Sequence, residues 1–540
     1  MSITPTYPGI YIQELPNSSH TITAAPTSVA VFVGYTHPFK TNPATFGVPV
    51  EIFSFSDYEA QFGGFFPSKL IDGNVARAVN DFFLNGGAHA YVVSTNGKPS
   101  DATSTLTYSL SDGGDQAPSG ALAVRVTQAE TEFGPGILFK AIEPIDQVPM
   151  SITLNSADGS SADITIAYGS RSETFRKLTL DKAAPKFLDN AINGLSSLVT
   201  VEPTIAPNYP ASFPVGLNTQ TFVTPAAAAV PATAKGVFHV TDFDEVFAED
   251  RPLDKLPVFN LMAIPGIVNI GVLSEALAFC ERKHAFFIMD PPRGDQADNL
   301  PGKHWIGDFI QLGDPAGNVA PKSQNGALYF PYVKSIDALT GDSISSPPSG
   351  FVAGIYARTD TNRGVWKAPA GLETSILGTS GVVDSGRMTD NRQGSLNPIG
   401  VNCLRSFPTG TVVFGARTLV GQDTNKAFEQ WKYVPVRRMA LFIEQTLLQN
   451  LRWVIFEPND NPLWVSIRTS IDNFMLGLFS QGAFQGATPS QAFQVKCDSS
   501  TTTQSDIDNG IVNIVIAFAP LKPAEFVIIK IAQLAGQAQQ

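Results

Sequence analysis

The residue types that most often bind metals or act as nucleophiles are scattered in this sequence. Cys280, Cys403 and Cys497 lie far apart and form no CxxC pair, a spacing typical of free thiols in a reducing cytoplasm. The histidines show no HExxH motif and no other spacing of paired ligands. They are His20, His37, His89, His239, His284 and His304. We therefore predict no metal centre and interpret each histidine as a surface or packing residue.

Motifs that bind phosphates or activate a serine are missing as well. The sequence contains no GxxxxGK(S/T) loop, no GxGxxG after a strand and no GxSxG elbow. The turn after the predicted strand that ends at Ile264 runs from Pro265 to Gly271 and has too few glycines to wrap a pyrophosphate. We predict that the protein is not an enzyme and has no cofactor.

Two polar runs could suggest a binding site. Asp498, Asp506 and Asp508 flank residues 501–503, but the spacing of an EF-hand loop is missing, so a solvated turn is the better interpretation. Residues 293–295 spell the adhesive tripeptide RGD directly after two prolines, where an ordinary loop is the better interpretation.

The composition limits the kinds of partner. The chain has 540 residues, enough for about three to four domains. Its formal net charge of -12 argues against a general nucleic-acid binder. No run reaches the roughly 18 apolar residues of a membrane span, and the first residues lack the pattern of a signal peptide. Only 16% of the residues are charged, which fits a subunit covered by neighbours as well as it fits one large core.

The elements that would position any site follow an α/β pattern. Residues 28–34 form a continuous apolar run, typical of a strand buried on both faces. A short helix follows, with Ser56 as its predicted N-cap and Gly63 as its stop. The other predicted elements are the helix Asn74–Leu84, the strand Ala90–Ser94, the strand 256–264, the helix 274–283 and the strand 285–289. The last three predict a right-handed parallel crossover.

Residues 101–235 have a different character. They are rich in Thr, Ser, Gly and Asp, and they contain alternating strand-like segments such as 122–126 and 162–166. A low-complexity stretch at 224–233 closes the region. We predict a β-rich domain inserted between two parts of one α/β sheet.

The C-terminal part combines two amphipathic helices with two apolar strands. Pro435 opens the first helix, and Asn461 and Pro462 are the predicted N-cap and first residue of the second. The second helix carries one apolar stripe, formed by Trp464, Ile467, Ile471, Phe474 and Leu478. Residues 510–519 and 525–531 are the predicted strands.

Several stretches resemble the contractile tail sheath protein family and occur in the same order as in that family. Near the start is YPGIYIQE at 7–14, followed by VAVFVGY at 29–35. The others are PSGFVAGIYARTD at 348–360, RGVWKAPA at 363–370, LNPIGVN at 396–402, GARTL at 415–419, YVPVRR at 433–438, WVIFEPNDNPLW at 453–464 and APLKPAEFVII at 519–529.

The resemblance implies an α/β core, a mixed sheet with flanking helices, that carries an inserted β-rich domain and strand-exchanging terminal arms. The implied division is an N-terminal arm at 1–20, a discontinuous core at 21–100 and 236–524, an outward-facing inserted domain at 101–235 and a C-terminal arm at 525–540. The residues implied to pair with a neighbouring subunit are Gly9, Ile10, Tyr11, Ile12, Gln13, Phe526, Val527, Ile528 and Ile529. Without the resemblance, arms that fold back on their own core are an equal alternative.

The implied function is structural. The subunit would polymerise with itself as stacked rings or a helix around an inner tube protein, and would contract from a metastable extended state to drive the tube through a target envelope. Baseplate and tail terminator or cap proteins are the other implied partners. The implied location is the bacterial cytoplasm, where the sheath is assembled into a phage tail or a phage tail-like particle. Arg468 and Asp472 are our candidates for facing the tube, although a solvated helix face is an open alternative.

Two other classes of protein remain as alternatives. A doubly wound α/β enzyme would need a ligand-filled crevice and would stay a discrete oligomer. A self-assembling surface-layer protein would also polymerise, but it should carry an export signal, which this sequence lacks.

Overall fold

The structure, a computed structural model, divides the chain into two compact units. The C-terminal unit comprises Met1–Ala25, Arg363–Ala368 and Pro435–Gln540, and the sheet unit comprises Pro26–Asn362 and Pro369–Val434. The structure describes residues 20–68, 73–95, 106–109, 123–126, 130–133, 136–145, 147–205, 207–222, 243, 245–292, 306, 320–383 and 388–531. No helix in these ranges has the length and apolar character that crossing a lipid bilayer requires.

The first part of the sheet unit follows the predicted α/β pattern. Its elements are β1 (Ala30–Gly34), β2 (Val50–Ile52), α1 (Phe55–Phe62), α2 (Asn74–Leu84) and β3 (Ala90–Ser94). The predicted N-cap of α1, Ser56, is wrong. The cap is Ser54, whose hydroxyl accepts a hydrogen bond from the Asp57 backbone N–H at 3.1 Å, while the Asp57 carboxylate accepts one from the Phe53 backbone N–H. Gly63 ends the helix in a left-handed conformation, as predicted.

The middle region forms separate sheets. Its elements are β4 (Leu106–Ser109), β5 (Ala123–Val126), β6 (Glu130–Glu132), β7 (Ile137–Ala141), β8 (Met150–Ser156), β9 (Ala162–Tyr168), β10 (Arg171–Leu178), α3 (Leu188–Ile192), β11 (Val199–Pro203) and β12 (Gly216–Thr221). The strands are ordered β10-β9-β8-β12 and β11-β7-β6, and β4 pairs with β5. Alternate residues of β8 and β9 are buried, including Ile152, Leu154 and Ile164, in a hydrophobic core of their own. We call residues 130–222 the β-rich region.

The chain then returns to the first sheet. The elements are β13 (Leu261–Ala263), α4 (Ile270–Arg282), β14 (Phe286–Met289), β15 (Gly326–Phe330), β16 (Val333–Ile336), β17 (Ser343–Ser346), α5 (Ser349–Arg363), β18 (Gly381–Val382), α6 (Asp390–Leu396), β19 (Val401–Phe407) and β20 (Gly410–Phe414). α4 begins four residues before the predicted start at Ser274 because the Asn269 side chain accepts a hydrogen bond from the Val272 backbone N–H.

The main sheet is mixed, with the order β2-β3-β1-β13-β14-β15-β19-β20. The strands from β3 to β19 are parallel, and β2 and β20 are antiparallel edges. The adjacent parallel pair β13 and β14 confirms the predicted strand-helix-strand crossover. Strand order reverses at β1, which lies between β3 and β13, so this is a doubly wound sheet.

Helices α2 and α5 pack closely because α5 has glycines at the contact. A Cβ added at Gly350 would lie 2.4 Å from the Ala78 Cα, and one at Gly354 would lie 2.7 Å from the Phe82 carbonyl oxygen. These glycines belong to the stretch 348–360 that resembles the sheath family. The resemblance here therefore coincides with a packing requirement in the core.

We expect Gly350→Ala to destabilise the sheet unit by about 1–3 kcal/mol, because backbone atoms of α2 would have to move away. Thermal unfolding measures this effect. Gly394→Ala is the matched control, since Gly394 lies in α6 and its added Cβ would meet nothing within 4 Å. An equal loss of stability in both variants would contradict the packing argument.

A buried arginine joins two other stretches of that resemblance. The Asn402 side chain accepts a hydrogen bond from the Arg417 backbone N–H and donates one to the Arg417 carbonyl, both at 2.7 Å. The Arg417 guanidinium is buried and donates to the Asn397 carbonyl at 2.9 Å and to the Asp423 carboxylate at 2.8 Å. Lys432 also contacts Asp423, at 2.5 Å. Arg417 thus fixes the loop beyond β20 to the turn before β19.

The C-terminal unit has its own helices and its own core. Its elements are α7 (Val434–Asn450), α8 (Asn461–Ser480), α9 (Pro489–Ala492), β21 (Phe493–Lys496), α10 (Gln504–Asp508) and β22 (Val515–Phe518). The predicted stripe of α8 lies in this core, with Phe474 only partly buried. The N-cap of α8 is Asp460, not Asn461 as predicted, because its carboxylate accepts a hydrogen bond from the Leu463 backbone N–H.

The unit boundary at Pro435 differs from the predicted core, which continues to residue 524. The reason is the separate core, in which Trp464, Ile467, Ile471 and Met475 of α8 pack with Val495 of β21. The predicted strand 510–519 is shorter in the structure, at Val515–Phe518.

Candidate assembly surfaces

The segment after β22 leaves its apolar side chains in solvent. Residues 525–531 form no strand, so the predicted strand is wrong for the isolated chain. The exposed fractions range from 73% for Phe526 to 92% for Ile531. The other exposed apolar side chains of the segment are Val527, Ile528 and Ile529. Residues with high β-propensity form a strand only when another strand offers an edge to pair with. Within the described residues no strand pairs with this segment.

The strands β21 and β22 form a small antiparallel sheet beside this segment. Phe493 pairs with Phe518, and Lys496 pairs with Val515. Within the described part of the chain no third strand joins them. Two strands are marginally stable alone, but Val495 is buried in the core of the C-terminal unit and anchors the pair. The sheet therefore offers edges that an extended chain could join.

The N-terminal linker also belongs to the C-terminal unit. The Thr23 backbone N–H donates to the Asn450 side chain at 2.9 Å, and the Asn450 side chain donates to the Thr23 carbonyl at 2.8 Å. The Ala25 backbone N–H donates to the Thr446 hydroxyl at 3.1 Å. The His20 ring stacks on Trp453. The predicted arm residues Gly9, Ile10, Tyr11, Ile12 and Gln13 lie outside the described residues.

The predicted tube-facing pair lies one turn apart on α8. Arg468 and Asp472 are both half-buried, and burial raises the pKa of Asp472 despite the opposing charge of Arg468. The solvent-exposed residues of α8 are otherwise uncharged: Asn461, Pro462, Val465, Thr469, Asn473, Leu476, Gly477 and Ser480. The exposed face is therefore suited to packing against another surface at least as much as to ion pairing.

The aspartates near residues 501–503, which could have suggested a cation site, form local hydrogen bonds instead. Asp498 accepts hydrogen bonds from the Ser500 N–H and hydroxyl, and Asp506 forms a capping box with Thr503. The predicted solvated turn is thus only partly right, because Asp506 and Asp508 belong to α10 and Thr502 is buried. Within the described ranges, no group of three or more His, Cys, Asp or Glu residues could hold a metal ion. The cysteines are unpaired, and burial raises the pKa of Cys403 to about 12, which keeps that thiol protonated.

A buried polar cluster fills the carboxyl edge of the main sheet next to β1. In doubly wound enzymes, ligands bind at this edge where the strand order reverses. Here the His37 Nε2 donates to the Glu143 carboxylate at 3.0 Å, and Lys40 and Arg171 contact the same carboxylate at 2.5 and 2.9 Å. Sequence reasoning missed this cluster, because Glu143 is 106 residues from His37 along the chain.

The geometry sets the charge states in this cluster. The His37 Nδ1 accepts hydrogen bonds from the Phe39 and Lys40 backbone N–H groups, so the ring is neutral and carries its proton on Nε2. Burial lowers the pKa of His37. Burial alone would raise the pKa of Glu143, but the hydrogen bond from His37 and the charge and hydrogen bond of Lys40 lower it to about 2.

A second buried acid at this edge caps α5. Asp290, directly after β14, accepts hydrogen bonds from the Ser349 backbone N–H and hydroxyl at 2.8 and 2.7 Å and from the Gly266 backbone N–H at 2.9 Å. Burial raises the pKa of Asp290 to about 6 despite these donors. The acid is thereby occupied in fixing the start of α5.

We expect acid to weaken the sheet unit through the His37–Glu143 pair. Both native pKa values lie below the ordinary values of 6.5 and 4.5, so the unfolded chain binds protons first as the pH falls. The stabilisation is therefore complete above about pH 6.5 and is lost as the pH falls, first through protonation of His37 and then through protonation of Glu143. The lowered pKa of Glu143 corresponds to about 3 kcal/mol of folding free energy. Urea unfolding of the wild type and Glu143→Gln should therefore differ most near neutral pH. A difference that stays constant down to about pH 3 would contradict this assignment.

The comparison with known families concerns the unit that carries the exposed segment. Residues 427–533 match the family described as phage tail sheath C-terminal domain. This part of the chain is therefore similar to the C-terminal domain of phage tail sheath proteins. The match covers α7 to β22 and the whole exposed segment 525–531 that follows.

Two curated sheath relatives extend the match beyond this domain. The tail sheath protein of Vibrio phage KVP40 is 27% identical over 181 residues, which are 33% of this chain and 25% of that protein. The putative prophage major tail sheath protein of Pseudomonas aeruginosa is 24% identical over 271 residues, which are 49% of this chain and 62% of that protein. In both cases the chain spans less than two thirds of the relative's length.

The fold of the whole chain is also similar to that of a solved sheath structure. The anti-feeding prophage helical sheath in its contracted state matches with a TM-score of 0.55 and 23% identity. The alignment covers 98% of this chain and 100% of that chain. At this identity the likeness concerns the fold, which has mixed sheets with flanking helices.

Proposed function

We propose that this chain is the structural subunit of a contractile sheath. It polymerises with itself around an inner tube and contracts from a metastable extended state to drive the tube through a target envelope. The observation that carries the proposal is the exposed apolar segment 526–531, at the end of a domain that matches the tail sheath family. Contiguous apolar surface of this kind marks an interaction site.

Strand exchange is the mechanism of assembly in this proposal. Phe526, Val527, Ile528 and Ile529 of one subunit, and residues 9–13 of another, add to the edges of the β21–β22 sheet of a neighbour. Main-chain hydrogen bonds supply affinity, and alternate side chains supply register. Burying each large apolar side chain contributes about 1.5–3 kcal/mol, which favours the polymer.

Contraction uses energy stored in the lattice. The folded units rotate as rigid bodies, while the exchanged strands keep them connected as hinges. The contracted lattice buries more apolar surface, at about 25 cal/mol for each Å2, and the gain is summed over all subunits. The protein acts without turning over a substrate, and no nucleotide is required.

The proposal also assigns roles to the inserted domain, to the face of α8 and to the two ends of the sheath. Residues 101–235 form an inserted domain that faces outward, a role supported by the separate core of the β-rich region. Arg468 and Asp472 face the inner tube. Baseplate and terminator proteins bind the two ends of the sheath. The particle is a phage tail or an extracellular contractile injection system that is assembled in the bacterial cytoplasm.

Negative-stain electron microscopy tests the proposal directly. The purified chain should form hollow striated tubes alone, and narrower ones when it is assembled with its inner tube protein. Discrete particles under both conditions would contradict a sheath and would return attention to the doubly wound enzyme. The filled carboxyl edge at His37 and Glu143 argues against that alternative.

A further inference from the structure

Glu143 lies where the β-rich region meets the main sheet. Its side chain is 1% exposed, and it follows β7 of the three-stranded sheet. Two of its partners, His37 and Lys40, belong to the turn after β1. The third partner, Arg171, is the first residue of β10 in the four-stranded sheet. One carboxylate therefore joins three separate sheets.

The turn after β1 is fixed to the main sheet. The Thr41 hydroxyl donates to the His37 carbonyl at 2.6 Å, and the Thr36 hydroxyl lies 2.7 Å from those of both Thr41 and Ser94, the last residue of β3. Gly63 packs against this turn, since a Cβ there would lie 2.3 Å from the Lys40 Cβ. The donors that face Glu143 thus move with the sheet.

The acid is fixed to the β-rich region equally firmly. The Arg171 guanidinium lies over the Tyr168 ring, 5.1 Å from its centre. The Tyr168 hydroxyl donates to the carbonyl of Pro144, the residue after Glu143, at 2.6 Å. The carboxylate and Arg171 therefore move with the β-rich region.

We infer that Glu143 is a clamp that holds the β-rich region against the carboxyl edge of the main sheet in one orientation. Apolar contacts are non-directional and tolerate sliding. A buried carboxylate does not, because any rotation of the region would separate it from His37 and Lys40, two of its three partners, while it remains away from water. Removing the charge should free the region to move relative to the sheet.

The clamp has a consequence for the sheath that rests on the proposed function. The β-rich region and the main sheet would move through contraction as one body, so an object bound to the region would follow the rotation of the sheet. The clamp itself is a property of the single chain. It can therefore be tested without any polymer.

Distance measurements between two spin labels test the clamp in the full-length chain. Leu195 of the β-rich region and Ala278 of α4 are both exposed, so Leu195→Cys and Ala278→Cys provide labelling sites. Double electron–electron resonance should give a narrow distance distribution with Glu143 present. Glu143→Gln keeps the shape but removes the charge, and it should broaden or shift the distribution.

The control is Lys140→Met. It removes the partly exposed ion pair between Lys140 on β7 and Glu202 on β11, and it should leave the distribution narrow. In Glu143→Gln, hydrogen exchange at the Phe39 and Lys40 amides should rise about tenfold to a hundredfold, while amides of β8 and β9 stay protected. An unchanged distribution in Glu143→Gln would overturn the clamp. If that variant does not fold, Lys40→Met applies the same test, because Lys40 reaches Glu143 from the turn after β1.

Discussion

Removing residues 526–540 abolishes tube formation and leaves a folded chain. The exposed side chains of Phe526 and Ile528 have no packing partners to lose, so unfolding of the truncated chain should match the wild type within about 0.5 kcal/mol. Assembly, in contrast, should lose the strand that we propose adds to a neighbour. With about 1.5–3 kcal/mol for each large apolar side chain buried, the loss per contact exceeds a factor of roughly 1,000 in association.

Electron microscopy of the truncated chain, together with its circular dichroism, checks both parts of this expectation. The double variant Val527→Asp with Ile529→Asp should behave in the same way. Leu195→Asp is the matched control, because it replaces another exposed apolar residue, on the β-rich region. Deletion of residues 1–14 should likewise abolish tubes without unfolding the chain. Normal tubes from either deletion would remove strand exchange from the mechanism.

Arg417→Ala is expected to destabilise the sheet unit by about 3 kcal/mol. The guanidinium is buried, and its loss leaves the Asn397 carbonyl without this donor and opens a cavity. Asp423 retains Lys432 as a partner and is partly exposed, so the cost comes chiefly from the carbonyl and the cavity. Chemical unfolding followed by tryptophan fluorescence measures the change.

Arg251→Ala provides the comparison for Arg417→Ala. Arg251 pairs with Glu245 at 3.0 Å, and both side chains are about half exposed. Such a pair contributes at most about 1 kcal/mol. Comparable losses in the two variants would mean that the buried hydrogen bonds of Arg417 contribute little.

Predictions from the sequence were correct for elements whose structure is determined by neighbouring residues. The apolar residues around β1 predicted a buried strand, and the stripe of α8 predicted the helix face that packs in the C-terminal unit. The cap of α1 was misplaced by two residues. A signal was available, since a serine three residues before an acidic residue is a common N-cap pattern, and the Ser54 hydroxyl accepts a hydrogen bond from the Asp57 backbone N–H.

Contacts between distant parts of the chain could not be predicted in this way. Nothing near His37 indicates that Glu143 will reach it, because the two are brought together by the order of the strands. The segment 525–531 was misread for a related reason. Its side chains favour a strand, but the partner edge is absent from the described part of a single chain.

Both ends of the chain leave from the C-terminal unit, since Thr23 and Ala25 are hydrogen-bonded to α7 and the exposed segment follows β22. If subunits are linked through these ends, the linkage is confined to one unit. The sheet unit is then free to diverge in sequence and size during evolution without altering how copies connect. Selection for connectivity would then act chiefly on the C-terminal unit, which contains most of the residues 427–533 that match the family model.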